Sequence, residues 1–103
     1  MLTFQYNNEQ KEIRLKFSGR MDTLAVTKIT EMIDAEPMLN IRNPGDRIVF
    51  DLEEVDYMAS SFIRICVNQA KLAGAGHFSI ANCQPFVKKT FKISGLDELL
   101  NIS

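Results

Sequence analysis

One histidine and two cysteines are all that this 103-residue sequence offers of the commonest zinc ligands. His77, Cys66 and Cys83 follow no metal-binding spacing, so a zinc site is excluded and no cofactor is implied. Neither charge is in excess: twelve basic and thirteen acidic residues, mixed along the chain, leave a formal net charge of −1. Nucleic-acid binding draws most of its affinity from neutralised phosphates and shows as clustered basic residues, so that class is excluded too. No apolar run approaches the ~18 residues needed to cross a bilayer, and no membrane span is expected. With no secretory leader to read at the start, the expected compartment is the cytoplasm, where both thiols stay reduced. The sequence also lacks a glycine-rich phosphate loop of P-loop or Rossmann spacing and a Gly-x-Ser-x-Gly elbow. Serine hydrolysis would need a base and an oxyanion site. The only imidazole, His77, begins a strand and reads as a surface or edge residue, so the chain is not expected to be an enzyme.

What is present is an ordinary globular composition, 46% apolar and 24% charged, which needs no staple to bury a core. The length suits one domain spanning residues 1–103. Leu2, Phe4 and Tyr6 alternate with polar residues. After a polar turn at Asn7–Gln10, Ile13, Leu15 and Phe17 oppose Glu12, Arg14 and Lys16. Period-two alternation across a short loop predicts an antiparallel hairpin with one wet face. Gly19 reads as a strand breaker. Asp22 or Thr23 can cap a helix whose apolar positions are Ala25, Val26, Ile29, Met32 and Ile33, ending near Ala35 or Glu36 ahead of Pro37. Asn43-Pro44-Gly45-Asp46 is a turn signal. Ile48, Val49, Phe50 and Leu52 predict a short strand covered on both faces, and Glu53 to Tyr57 a connection. A second helix starts at Ser60 or Ser61 and runs to Gly74, where Gly74-Ala75-Gly76 fits a left-handed terminus. His77 to Ala81 is a fourth strand. Pro85 opens a third helix to Ile93, and Leu96 to Leu100 adds a terminal helical turn. Lys88, Lys89 and Lys92 read as its solvated face. Strands alternating with helices imply right-handed crossovers and an α/β fold: a four-stranded, mostly parallel mixed sheet with an N-terminal antiparallel hairpin and three to five helices.

The segment Tyr57-Met58-Ala59-Ser60-Ser61-Phe62-Ile63-Arg64 follows a buried strand, and so lies beyond a carboxyl end of the sheet, where α/β folds commonly place their sites. The serines admit two readings. A hydroxyl can cap the helix, contributing about 1 kcal/mol. A phosphorylated serine would add about −1.5 to −2 of charge where a helix N-terminus favours it, with Glu53, Glu54 and Asp56 deepening the negative field against a partner. The helix itself carries two apolar stripes. Ile63, Cys66, Val67, Ala70 and Ala73 should face the sheet. Phe62, Ile65, Gln69 and Leu72 form a second stripe, either covered by another element or exposed to a partner from Phe62 onward.

These elements resemble the STAS family almost end to end. The resemblance runs through Gly19-Arg20-Met21-Asp22 after the second strand, Asp51-Leu52, Val55 and Tyr57, and the loop Ala59-Ser60-Ser61-Phe62-Ile63-Arg64. It continues with Asn82, Pro85 and Val87, then Gly95-Leu96-Asp97-Glu98-Leu99-Leu100-Asn101-Ile102. Two positions depart from the family pattern: Ala59 replaces an acidic residue or serine, and Phe62 replaces a glycine. Arg64 agrees with a branch whose acceptor position is often alanine.

The resemblance implies an anti-sigma factor antagonist. Such a protein binds an anti-sigma factor that is often a serine kinase, is released by phosphorylation, and is restored by a PPM-type serine phosphatase. The implied phosphoacceptor is Ser61, with Ser60 as the alternative. The implied partner surface is Asp22, Tyr57, Met58, Ala59, Ser60, Phe62, Arg64 and Ile65, on a monomer or weak dimer. The other function considered is a constitutive, non-phosphorylated STAS subunit of a larger signalling or lipid-transport complex.

Overall fold

The computed structural model describes residues 1–40 and 45–102, with backbone alone for Met38 and Asn40. Strands β1 (Leu2–Asn7) and β2 (Glu12–Met21) form the antiparallel hairpin, pairing Leu2 with Phe17 and Asn7 with Glu12. The chain continues through helices α1 (Thr23–Ala35) and α2 (Pro37–Asn40), strand β3 (Arg47–Met58), helix α3 (Ser60–Ala73), strand β4 (Phe78–Ala81) and helix α4 (Pro85–Ile93). In the sheet order β1-β2-β3-β4, β3 lies parallel to β2 and β4 parallel to β3. The architecture is therefore the mostly parallel mixed sheet with one antiparallel edge hairpin.

The core sits on one face of this sheet. Register brings Ile13 beside Ile48, Leu15 beside Phe50, and Phe50 beside Ile80. Buried Val26, Ile29 and Ile33 of α1, Phe62, Cys66 and Ala70 of α3, and Val87 and Phe91 of α4 join them in a single cluster. Phe17 anchors it, its ring centroid 4.8 Å from Phe50 and 5.2 Å from Phe62, the latter edge-on at 82°. Tilted and edge-on pairs of this kind add to the stabilisation from burial.

The opposite face is covered as well, though not by helices. The apolar run from Ile48 to Leu52 predicts a strand covered on both sides, and Val49 and Asp51, which point away from the helices, are indeed buried. Polar neighbours shield them. Arg14 pairs with Asp51 at 3.1 Å and with Glu12 at 3.6 Å, while Arg47 reaches Glu12 at 3.3 Å. Asn82 Nδ2 donates to Asp51 Oδ2 at 3.2 Å, and the Glu53 amide donates to the other carboxylate oxygen at 3.1 Å. A side-chain network is thus what lets a strand with one truly apolar face resemble a buried one.

Other boundaries also move. Gly19 does not end β2: with φ +94 it accompanies two register shifts, and the strand runs on to Met21. A glycine in a bulge takes this conformation without a Cβ clash. Residues 53–57 are strand rather than connection, because β2 is long enough to pair with them as far as Met58. Helix α2 was not foreseen; Pro37 sits at its first position, where its missing N–H costs nothing. Gly74 has φ 91 but ψ 165, an extended glycine conformation rather than a left-handed helical one. Residues 97–101 form turns instead of a helix, and Ile102 makes a parallel bridge to Ile80. The turn signal at Asn43-Pro44 lies outside the described residues.

Candidate functional site at the start of α3

Parallel pairing of β2 with β3 sets Arg20 opposite Tyr57 and Met21 opposite Met58, so the two strands end together. The Ala59 amide donates to the Met21 carbonyl at 2.8 Å, tying the start of α3 to the residue before Asp22. The N-termini of α1 and α3 therefore lie side by side, and the predicted residues Asp22, Tyr57, Met58, Ala59 and Ser60 fall on one end of the sheet. Arg20, which sequence reasoning passed over, belongs with them: its guanidinium carbon stands 3.9 Å from the Tyr57 ring centroid. Such stacking contributes about 0.5–1 kcal/mol at an exposed site. Only strand register reveals it, since the two stand 37 positions apart in the sequence.

The two helix starts differ in chemistry. Asp22 caps α1, its Oδ1 accepting from the Ala25 amide at 2.9 Å. Helix α3 begins after Ala59, which offers no side-chain cap, and its first turn contains no acidic residue. The serines are consequently not caps: Ser60 and Ser61 are the first two helical residues. Ala59 already has the extended backbone of an N-cap, φ −78 and ψ 159. Replacing Ala59 by Asp is therefore expected to stabilise the protein by about 1 kcal/mol, read as a higher urea midpoint at unchanged slope.

Ser60 and Arg64 are exposed, while Ser61 is half-buried. The Ser61 hydroxyl oxygen is shielded from solvent and has no hydrogen-bond partner among the described residues. A shielded hydroxyl without a partner costs about 1–3 kcal/mol. Phe62 corrects the sequence reading: its side chain is 0% exposed and packs edge-on against Phe17, so it cannot contact a partner in the folded protein. Ile65 and Gln69 are half-buried and line a cleft with Ile33 of α1, leaving Leu72 as the exposed member of that stripe. The stripe facing the sheet is Phe62, Cys66 and Ala70, flanked by Ile63 and Val67.

Two features bear on chemistry. His77 precedes β4 and its carbonyl accepts from Ile48. Ile48 and Met58 stand near opposite ends of β3, ten positions apart at ~3.3 Å per residue, so the imidazole is at the far end of the sheet from the serines. Burial pushes the Cys66 thiol up, with Cys83 adding to the effect. Burial also pushes Cys83 up to about 11 despite nearby Lys88. Both therefore stay protonated at neutral pH, and thiols are weak nucleophiles in that form. Among the described residues no cluster of three or more His, Cys, Asp or Glu side chains could hold a metal ion, and no helix is long and apolar enough to cross a membrane.

The STAS domain family model matches residues 7–103, and the chain belongs to that family. No curated protein sequence matches it. Among solved structures it is similar to the anti-sigma factor antagonist SpoIIAA in its unphosphorylated form. That match has TM-score 0.74 and 21% identity over 100% of this chain and 88% of the other. An anti-sigma factor antagonist from Mycobacterium paratuberculosis gives TM-score 0.76 and 17% identity over 99% and 85%. The phosphorylated form of SpoIIAA, described as a Bacillus cell fate determinant, gives TM-score 0.68 and 20% identity over 100% and 91%. At these identities the likeness is one of fold.

Proposed function

We propose that this chain is an anti-sigma factor antagonist, a single STAS domain acting in the bacterial cytoplasm as a protein-binding phospho-switch. Unphosphorylated, it sequesters an anti-sigma factor that is also a serine kinase. Phosphorylation of Ser61 releases that partner, and a PPM-type phosphatase restores binding. The contacting residues are Asp22, Tyr57, Met58, Ala59, Ser60, Arg64 and Ile65.

The observation that carries this reading is the α3 N-terminus. It has no capping side chain and no carboxylate in its first turn, so the positive end of the helix is uncompensated where a phosphoryl group would be stabilised. Added charge there would change the partner surface without requiring the fold to change. The shielded Ser61 hydroxyl favours a second reading, a constitutive STAS subunit of a larger signalling or lipid-transport complex. Peptide mass spectrometry on protein isolated from its own cells, with phosphatases inhibited, separates the two. Phosphate on Ser61 is expected. An unmodified Ser60–Ser61 peptide across growth conditions would sink the switch and leave the constitutive subunit.

A further inference from the structure

A groove of about 420 Å³ opens where the β1–β2 hairpin meets α1. Its floor is Leu2 and Ile29, each 3% exposed. Leu24 and Met32 also line it, and Leu24 is 71% exposed, a large apolar side chain left in water at the rim. The volume falls within the roughly 300–1,000 Å³ typical of small-molecule sites. The cationic side chains of the lining are Arg20 and Lys28, and among the described residues neither is paired with a carboxylate; the Met1 ammonium at the same rim donates to the Ser18 carbonyl. The one carboxylate in the lining, Asp22, is engaged as the α1 cap, so the groove has a cationic surplus.

We propose that this groove binds a free long-chain carboxylate, a fatty acid. Its alkyl chain lies over Leu2, Leu24, Ile29 and Met32, and its carboxylate pairs with Lys28 and Arg20. A neutral apolar ligand would leave both cations unused, and a compact polyanion would leave the apolar floor wet. A cationic amphiphile would meet like charge. Arg20 is already positioned by its stack on Tyr57, which lowers the cost of ordering it around the ligand.

The test is an NMR titration of the full chain with dodecanoate, dodecanol and dodecyltrimethylammonium, each below its micelle concentration. Saturable amide shifts are expected around Leu2, Arg20 and α1 from Thr23 to Met32. Dodecanoate should bind about tenfold more tightly than dodecanol, the size that two partly exposed ion pairs supply. Lys28→Glu should remove most of that preference, and Leu24→Glu should weaken binding of every amphiphile. Both positions are exposed, so neither variant should disturb folding, checked by circular dichroism. Equal affinity for all three amphiphiles, or full carboxylate preference in Lys28→Glu, would overturn the proposal. So would binding to phosphatidylglycerol vesicles without binding to monomeric dodecanoate.

Discussion

Phe62→Ala is expected to lower the stability of the protein by about 3–5 kcal/mol, the range for truncating a buried phenylalanine. The ring is fully enclosed and presents its edge to Phe17 at 5.2 Å between centroids, and Phe17 in turn contacts Phe50. Truncation therefore opens a cavity where α3 seats on β2, in addition to losing the transfer free energy. Domains of this size have roughly 5–15 kcal/mol in total, so the variant should be near the edge of folding at ambient temperature. Urea unfolding followed by far-ultraviolet circular dichroism measures it. Phe86→Ala, at a ring that is 66% exposed, is the control and should change stability by no more than about 0.5 kcal/mol. Equal effects at the two positions would mean that Phe62 is not the wedge between helix and sheet described above.

Under the proposed function, Ser61→Asp is expected to weaken binding of the proposed anti-sigma factor partner at least tenfold, about 1.4 kcal/mol, with little loss of stability. Like charges facing each other across an interface cost several kcal/mol. The helix N-terminus offsets about 0.3–1 kcal/mol of the cost of placing a carboxylate there. Because the native hydroxyl is shielded, the aspartate must turn its carboxylate outward, toward the surface that Ser60 and Arg64 already share. Titration calorimetry with the purified partner reads the affinity, and urea unfolding reads the stability. The Ser60→Asp protein serves as comparison, since it places the same charge one residue earlier at an exposed position. Unchanged affinity in Ser61→Asp would remove the charge-switch mechanism while leaving a binding role intact. A loss confined to Ser60→Asp would move the switch to that residue.

Several elements were legible from local rules, although Gly19 and Gly74 show that a glycine alone does not fix a boundary. Alternation in the hairpin, the Asp22 cap and Pro85 at the start of α4 each depend on neighbours a few residues apart, and α4 occupies the predicted residues. Features set by distant partners were not legible. The length of β3 depends on β2 lying alongside it, and burial of Asp51 depends on Arg14 and Asn82. Family resemblance had marked Asp51 and Asn82 separately; their hydrogen bond shows that together they pin the β4–α4 corner to β3. The Arg20–Tyr57 stack likewise required the register. Phe62 was misjudged because two adjacent apolar stripes on a helix do not say which one meets the sheet. The face that does so takes Phe62 from one stripe and Cys66 and Ala70 from the other, with Phe17 against Phe62.

The hydrogen bond that joins Met21 and Ala59 across the ends of β2 and β3 also has a kinetic meaning. Residues 12 and 47 are paired in parallel, 35 positions apart, and α1 must be spanned before that register can close. Parallel pairings of this separation form slowly compared with local helices and hairpins, because chain closure precedes the contacts that reward it. On a ribosome, the β1–β2 hairpin and α1 emerge with no partner for the open side of β2. The face that Asp22, Tyr57 and Ser60 make together does not exist until β3 has been synthesised and zipped into place. A partner or kinase that reads this face therefore recognises only completed molecules, and half-made chains cannot compete for it.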